Sequence, residues 1–359
     1  MFLKKLVLNN FKNHKEFSGE FSKHCNCFLG ENGAGKTTLI DAIYFLSLTK
    51  SSLSNQEALC ISHDEEYFMI SGDFHKNEKQ KEVICSLQRG QRKSILIDKK
   101  QVERIADHIG NYPVVLMGPH DTDIVRDSAE ARRKFFDGVI SQIDAVYFQN
   151  LLLHNRLLLQ RNSLLKQFAE RNYFDKPLLE VYSEPLLEKA LEINKVRQQF
   201  AQNFMPIFQK NYALLSENRE NVTIFYESEV DDNEFQSLFR NNFKADIGAN
   251  RTLKGIHKDD YIFEIDGFTL RKFGSQGQQK AFAMALKLAQ FELITIEKNE
   301  KPILLMDDIF DKLDDRRINM LIEMIDKKVF GQVFITDARP ERSKKLLEKI
   351  SDGVNFILL

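Results

Sequence analysis

The sequence contains no tryptophan and only four cysteines in 359 residues. Cys25, Cys27, Cys60 and Cys85 provide no second pair at ligand spacing after Cys25-Asn26-Cys27, so a zinc finger or ribbon is excluded. Cys27 lies in an apolar run that enters a glycine loop and reads as a reduced core thiol. No apolar run approaches the ~20 residues needed to cross a bilayer. The two early lysines, Lys4 and Lys5, are followed by no signal-peptide core or cleavage site, which makes the cytoplasm the expected location. There is also no excess of either charge: 51 basic and 52 acidic residues leave a formal net charge of −1. A protein that coats nucleic acid with its whole surface is basic. Any nucleic-acid contact must therefore come from a local patch or an assembled groove. Internal repeats and low-complexity linkers are lacking. Phenylalanine, with 29 residues, is the abundant aromatic and reads as compositional bias.

What is present suffices for two lobes and a sizeable core. Phe2 to Asn10 alternates as a strand with Leu6 and Leu8 on one face, and His24 to Leu29 is a second strand ending at Gly30. A helix follows from Gly35, with Leu39, Ile43 and Leu46 on one stripe. Further strands are expected at 66–74, 81–87, 94–97 and 114–117. From Asp127 and Ser128, both N-cap residue types, the period becomes helical. Leu153, Leu157, Leu164 and Phe168 share one face. After a break at 172–177, Leu186, Ala190, Ile193, Phe200, Phe204 and Ile207 continue the pattern. Two helices of roughly 30 residues would reach about 45 Å as an arm; a plain helical subdomain satisfies the same pattern. Strands at 261–265, 303–306 and 332–336 and a helix over 278–296 restore α/β character. The expected architecture is one α/β ATPase lobe, residues 1–126 with 245–359, built from mixed sheets with helices. An all-helical arm, 127–244, is inserted into it.

Gly30-Glu31-Asn32-Gly33-Ala34-Gly35-Lys36-Thr37 matches the phosphate-loop pattern in its required strand–loop–helix setting. Glycines let backbone N–H groups converge on phosphate oxygens, and the helix that starts there aims its positive end at the same anion. Lys36 supplies a point charge for the β- and γ-phosphates, and the Thr37 hydroxyl is placed for Mg²⁺. ATP with Mg²⁺ is the expected ligand, with Thr38 following the loop. The apolar run Ile303–Met306 ends in Asp307 and Asp308, and such a strand delivers carboxylates to a sheet edge where nucleotide sites form. Alone, two acids there mark no more than a solvated loop; with a phosphate loop in the same chain, Asp307 is the metal carboxylate and Asp308 the group that polarises the attacking water. Phe273-Gly274-Ser275-Gln276-Gly277-Gln278-Gln279 precedes a helix carrying Ala281, Ala285, Leu288 and Ala289. A hydroxyl and small residues at a helix start make a second anion site. One ATP has no need of two such sites from one chain, whereas two facing copies would use both.

In these residues the chain resembles the ABC ATPases, whose signature closes over the γ-phosphate held by the opposite protomer. Ser275-Gln276-Gly277-Gln278 stands where those enzymes have Ser-Gly-Gly-Gln, Asp307-Asp308 stands for their Asp-Glu pair, and Leu313-Asp314 falls at their D-loop. The closer resemblance is to the RecF family. It rests on the string Phe273–Gln279, the Asp-Asp pair, Asn10-Phe11-Lys12-Asn13, Arg132-Arg133 with Phe136-Asp137, Gln160-Arg161-Asn162 and Gly255-Ile256-His257-Lys258-Asp259-Asp260. Departures are Ile256 in place of proline, Thr38 in place of asparagine, and Asp308 in place of the usual ABC glutamate. Asp337 stands near the transporter switch histidine. No glutamine serves as a Q-loop around Met117–Asp121, where His120 and Asp121 stand.

The resemblance implies an ATP-sandwiched homodimer that acts as a molecular switch and a weak, DNA-stimulated ATPase. It implies binding to gapped, single-stranded or junction DNA, and partnership with RecR and RecO in RecA loading, replication restart and the SOS response. Basic candidates for DNA contact are Arg89, Arg92, Lys93, Lys99, Lys100, Arg132 and Arg133. Among the alternatives, a defence-type SMC-like ATPase carries a nuclease domain or a longer coiled coil, for which these 359 residues leave no room. A transporter subunit has the switch histidine and no such helical insert. A nucleotide kinase or GTPase needs neither the signature nor the D-loop.

Overall fold

A computed structural model describes residues 1–231, 234–311 and 313–359. The chain divides into two compact units, Met1–Asp121 with Gln290–Leu359, and Thr122–Ala289.

The first unit opens with β1 (Phe2–Phe11), β2 (His14–Glu20), β3 (Cys25–Leu29) and helix α1 (Lys36–Leu48), then β4 (Tyr67–Lys76), β5 (Lys79–Gln88), β6 (Ser94–Ile97), β7 (Lys100–Gln101) and β8 (Val114–Met117). The second contains α2 (Asp123–Arg126), α3 (Ala129–Ile143), α4 (Ala145–Arg171), α5 (Lys176–Ser216), β9 (Val222–Glu227), α6 (Phe235–Asn241), α7 (Phe243–Gly248), β10 (Asp260–Ile265), β11 (Phe268–Thr269) and α8 (Leu270–Phe273). The chain returns to the first unit within α9 (Gln276–Lys298). It ends with β12 (Ile303–Met306), α10 (Asp315–Asp326), β13 (Val333–Asp337), α11 (Pro340–Leu347) and β14 (Asn355–Leu358).

Two sheets build the first unit. One is antiparallel, in the order β2-β1-β4-β5-β6-β7, and the other is parallel, in the order β14-β3-β13-β12-β8. Alternation puts Leu3, Leu6, Leu8 and Phe11 of β1 and Phe68, Ile70 and Phe74 of β4 into one core with Leu39, Ile43, Phe45 and Leu46 of α1. That core also takes Phe28, Leu305 and Phe334 from the parallel sheet. Strand β3 is buried along its whole length, as a central parallel strand must be. The register sets Leu29 beside Asp337 and Met306 beside Ile335, so the ends of β3, β13 and β12 share one edge of the sheet. In open parallel sheets that carboxyl edge is where ligands bind.

The second unit joins helices to a three-stranded sheet, β11-β10-β9. The helical run expected from residue 127 breaks at Asp144, whose carboxylate caps α4 by accepting the Tyr147 N–H at 2.9 Å. The expected break at 172–177 is present: Asn172 closes α4 in a left-handed conformation and the Asp175 side chain caps α5. Helix α5 runs 41 residues with Pro185 and Pro206 inside it, about 60 Å at the usual rise. It is longer than expected. The stretch 127–244, expected to be all-helical, also contains β9. The second unit extends beyond that stretch to Ala289: β10 pairs with β9 and its aromatic face packs on Phe136 of α3. Phe136 stacks on Tyr261 at 3.9 Å, and Phe204, Phe208, Phe263 and Phe282 continue the ring-on-ring packing. The phenylalanine abundance therefore has a structural use in building both cores. No helix among the described residues is long and apolar enough to cross a membrane.

Candidate nucleotide site

The phosphate loop leaves β3 at Gly30 and becomes α1 at Gly35, which has φ 95°. A side chain at Gly35 would be strained by the backbone and would also strike a neighbour, since a Cβ there lies 2.3 Å from His14 Nε2. The β1–β2 turn forms a roof over the loop. Thr38 Oγ1 donates to Asn13 Oδ1 at 2.6 Å, Asn13 Nδ2 reaches the Gly33 carbonyl at 3.4 Å, and His14 Nε2 lies 3.1 Å from the Gly35 carbonyl. Lys36 is 5 % exposed, and its ammonium donates to the carbonyls of Gly30 and Glu31, both at 2.9 Å. The cation is thus held in the loop, close to the backbone that a triphosphate would approach. Cys25 and Cys27 lie in the preceding strand as buried free thiols, and burial pushes the Cys25 pKa up to about 12.

Asp307 follows β12 at the same edge. Its Oδ1 accepts two hydrogen bonds, from Thr37 Oγ1 at 3.0 Å and from Thr336 Oγ1 at 2.7 Å. Thr37 and Asp307 therefore meet across 270 residues of sequence. Asp308 takes φ 44°, a left-handed conformation unusual for a side-chain-bearing residue, and its N–H donates to Thr336 Oγ1 at 2.9 Å. Asp337 is committed elsewhere: its carboxylate accepts from Arg339 N–H at 2.9 Å and Ser343 Oγ at 2.6 Å, which fixes the start of α11. Asp314 caps α10 by accepting the Arg317 N–H at 2.9 Å and pairs with the same arginine's guanidinium.

In the second unit, Ser275 and Gln278 form a reciprocal cap. Ser275 Oγ accepts the Gln278 N–H at 3.2 Å, and Gln278 Oε1 accepts the Ser275 N–H at 2.7 Å. Gln278 Nε2 also donates to Glu220 at 2.8 Å. Gly274 admits no side chain, because a Cβ would lie 2.7 Å from the Leu270 carbonyl oxygen. Ser275, Gln276 and Gly277 are exposed at the start of a 23-residue helix. Such a helix start presents a positive dipole end to solvent.

The basic candidates for DNA contact separate into two groups. Arg132 is buried and grips Asp260 with two bonds, at 2.7 and 2.8 Å; Arg133 donates to the Asp259 carbonyl; Lys93, half-buried, donates to Glu57 and the Thr49 carbonyl. All three are engaged by partners within the fold. Arg89 holds the Glu65 carbonyl at 3.0 Å, whereas Arg92, Lys99 and Lys100 lie exposed along β5–β7. The other motif stretches of the second unit converge on two buried networks. Arg197 pairs with Asp137 at 2.9 Å and with Asp259 at 2.7 Å. Arg161 pairs with Asp246 at 2.8 Å and donates to Ser183 and Thr252, while Asn162 accepts from Thr252. Burial pushes the Asp259 carboxyl up in pKa, and Arg197 opposes that shift. Sequence reasoning did not single out Thr336, His14 or Glu220. The one available signal was a hydroxyl residue ending a buried strand.

The model of the RecF/RecN/SMC N-terminal domain family matches residues 2–354. A DNA replication and repair protein RecF from Flavobacterium johnsoniae is 42% identical over 348 residues, covering 97% of each chain. Another from Cytophaga hutchinsonii is 45% identical over 343 residues, covering 96% of this chain and 91% of the relative. Among solved structures, the recombination mediator protein RecF with ATP, of the RecFOR pathway, superposes with a TM-score of 0.85 at 30% identity, covering 94% of this chain and 92% of that one. An Smc head domain from Pyrococcus furiosus, at 20% identity and a TM-score of 0.54, shares the fold.

Proposed function

The chain belongs to the RecF family of DNA replication and repair proteins, and on that footing we propose that it is an ATP-switched recombination mediator of the RecFOR pathway. Two copies bury two ATP molecules, each held by Gly30–Thr37 of one copy and closed over by the partner's Ser275–Gln278. What supports this reading is that one chain carries two features suited to a phosphate. One is the loop around Lys36, and the other is the exposed, hydroxyl-capped start of α9. A single nucleotide occupies only the first.

Lys36 exchanges the carbonyls of Gly30 and Glu31 for β- and γ-phosphate oxygens, and Asn13 and His14 hold the loop from above. The Thr37 hydroxyl and the Asp307 carboxylate are hard oxygen donors 3.0 Å apart, a donor set that fits Mg²⁺. Bound there, the ion neutralises charge on the phosphates. Asp308 orients the attacking water. Its side chain is shorter than the glutamate of related enzymes, which suits a slow ATPase serving as a switch. Asp314 contributes from α10 at the interface between copies. ATP thus shifts a population from single chains to a closed dimer, and hydrolysis returns it.

The closed dimer binds gapped, single-stranded or junction DNA in the cytoplasm. With RecR and RecO it promotes RecA loading, replication restart and SOS induction. Residues 127–244 serve as its arm. Sedimentation with gapped, single-stranded and duplex DNA, at one stated salt concentration, tests the reading. Mg-ATP is expected to produce a dimer retained on gapped DNA, and Lys36→Ala to remove it. Equal DNA retention with and without Mg-ATP refutes the switch.

A further inference from the structure

The parallel sheet places three functional positions at one edge, and one of them is a residue with no role assigned above. Thr336 is the penultimate residue of β13, which lies between β3 and β12, and is fully buried. Its hydroxyl makes two hydrogen bonds, one in each direction. It donates to Asp307 Oδ1 at 2.7 Å and accepts the Asp308 N–H at 2.9 Å. One hydroxyl thereby ties together the carboxylate suited to the metal and the backbone of the next acid, whose left-handed φ of 44° needs an external hold.

We infer that Thr336 is the positioning residue of the metal site, fixing the Asp307 carboxylate and the Asp308 backbone before Mg²⁺ and nucleotide arrive. The other donor to Asp307 Oδ1 is Thr37, the hydroxyl suited to the metal itself. When Thr37 turns to the ion, Thr336 is left as the hydroxyl on that oxygen. Among the described residues, Asp307 Oδ2 receives no side-chain hydrogen bond, so Thr336 sets the direction in which that free oxygen points. A hydrogen bond to a buried carboxylate is among the stronger ones, because the low local dielectric strengthens it. The strand order brings the threonine there: β13 lies between the loop strand and the carboxylate strand, with Ile335 beside Met306 and Thr336 beside Phe28.

This inference rests on the ATP and Mg²⁺ reading above, but on one copy alone and not on the dimer. The test is calorimetric binding of a non-hydrolysable ATP analogue to the full chain, in EDTA and in Mg²⁺. Thr336→Val keeps the shape and removes the hydroxyl. It is expected to leave the EDTA affinity within about twofold while cutting the Mg²⁺-dependent gain tenfold or more, and Thr336→Ser is expected to restore the gain to within about threefold. Thr336→Ala, which removes the same hydroxyl, is read identically if the valine variant does not fold. An unchanged Mg²⁺ gain in the valine variant overturns the inference, as does a parallel loss of both affinities, the mark of a merely structural threonine. An unaltered chain that gains nothing from Mg²⁺ instead refutes the nucleotide reading on which the inference stands.

Discussion

Gly35→Ala places a methyl where the backbone and a neighbouring ring both oppose it. At φ 95° an alanine pays roughly 1–2 kcal/mol of left-handed strain that glycine does not. The new Cβ would also lie 2.3 Å from His14 Nε2, 2.8 Å from His14 Cε1 and 2.9 Å from Asn13 Nδ2. The imidazole must swing away and give up its 3.1 Å contact with the Gly35 carbonyl, worth about 1 kcal/mol. The sum is a loss of about 2–3 kcal/mol. Gly33 is the internal control, because it too has positive φ, at 88°, but a Cβ there meets nothing within 4 Å. Gly33→Ala should cost only the strain, roughly 1–2 kcal/mol. Urea unfolding followed by far-ultraviolet circular dichroism suits a chain without tryptophan. A cycle with His14→Ala isolates the clash: in that background Gly35→Ala should become milder by about 1 kcal/mol, while Gly33→Ala should not change. If Gly35→Ala and His14→Ala simply add, the β1–β2 turn does not roof the phosphate loop as described.

Arg197→Met should destabilise the second unit by about 3–5 kcal/mol, because it leaves the buried Asp259 carboxylate and the half-buried Asp137 carboxylate without their shared cation; a calorimetric loss under about 1 kcal/mol contradicts this. His154 is buried and His257 half-buried, each with a buried Nδ1 unpartnered among the described residues, and desolvation lowers their pKa values to about 3 and about 4. Both values lie below the ordinary 6.5, so the unfolded chain binds protons that the folded chain refuses. Stability should therefore be unaffected by these groups above pH 6.5, and should fall by about 1.4 kcal/mol per histidine per pH unit below it until the folded values are reached. His154→Leu should remove about half of that slope, and an unchanged acid limb argues against burial as the cause.

The parts of the site that were legible in the sequence are those whose chemistry requires fixed residue types at short spacing. Gly30–Thr37 must be contiguous to wrap a phosphate, Ser275–Gln278 must be contiguous to cap a helix, and an apolar strand ending in Asp307-Asp308 advertises its own burial. What escaped depends on pairing between distant segments. Thr336 meets Asp307 only because β13 is inserted between β3 and β12, and His14 meets Gly35 only because a hairpin folds over the loop. Arg132 and Arg133 read as surface charge because nothing local reveals that the Asp260 carboxylate and the Asp259 backbone carbonyl, over a hundred residues later, will engage them. Strand β14 was missed because it is short and only half-buried, and the α3–α4 break was missed because Asp144 resembles any polar helix residue until it caps.

Mixing two inactive variants tests the shared ATP site most directly. Lys36→Ala lacks a working phosphate loop and Ser275→Arg lacks a working helix start, so neither should dimerise with Mg-ATP in sedimentation runs. Mixed together, they can rebuild one complete site from the loop of the second and the helix start of the first, and ATP-dependent association should return in the mixture alone. Association of Ser275→Arg by itself at unaltered affinity, or a mixture no better than its components, would contradict the account.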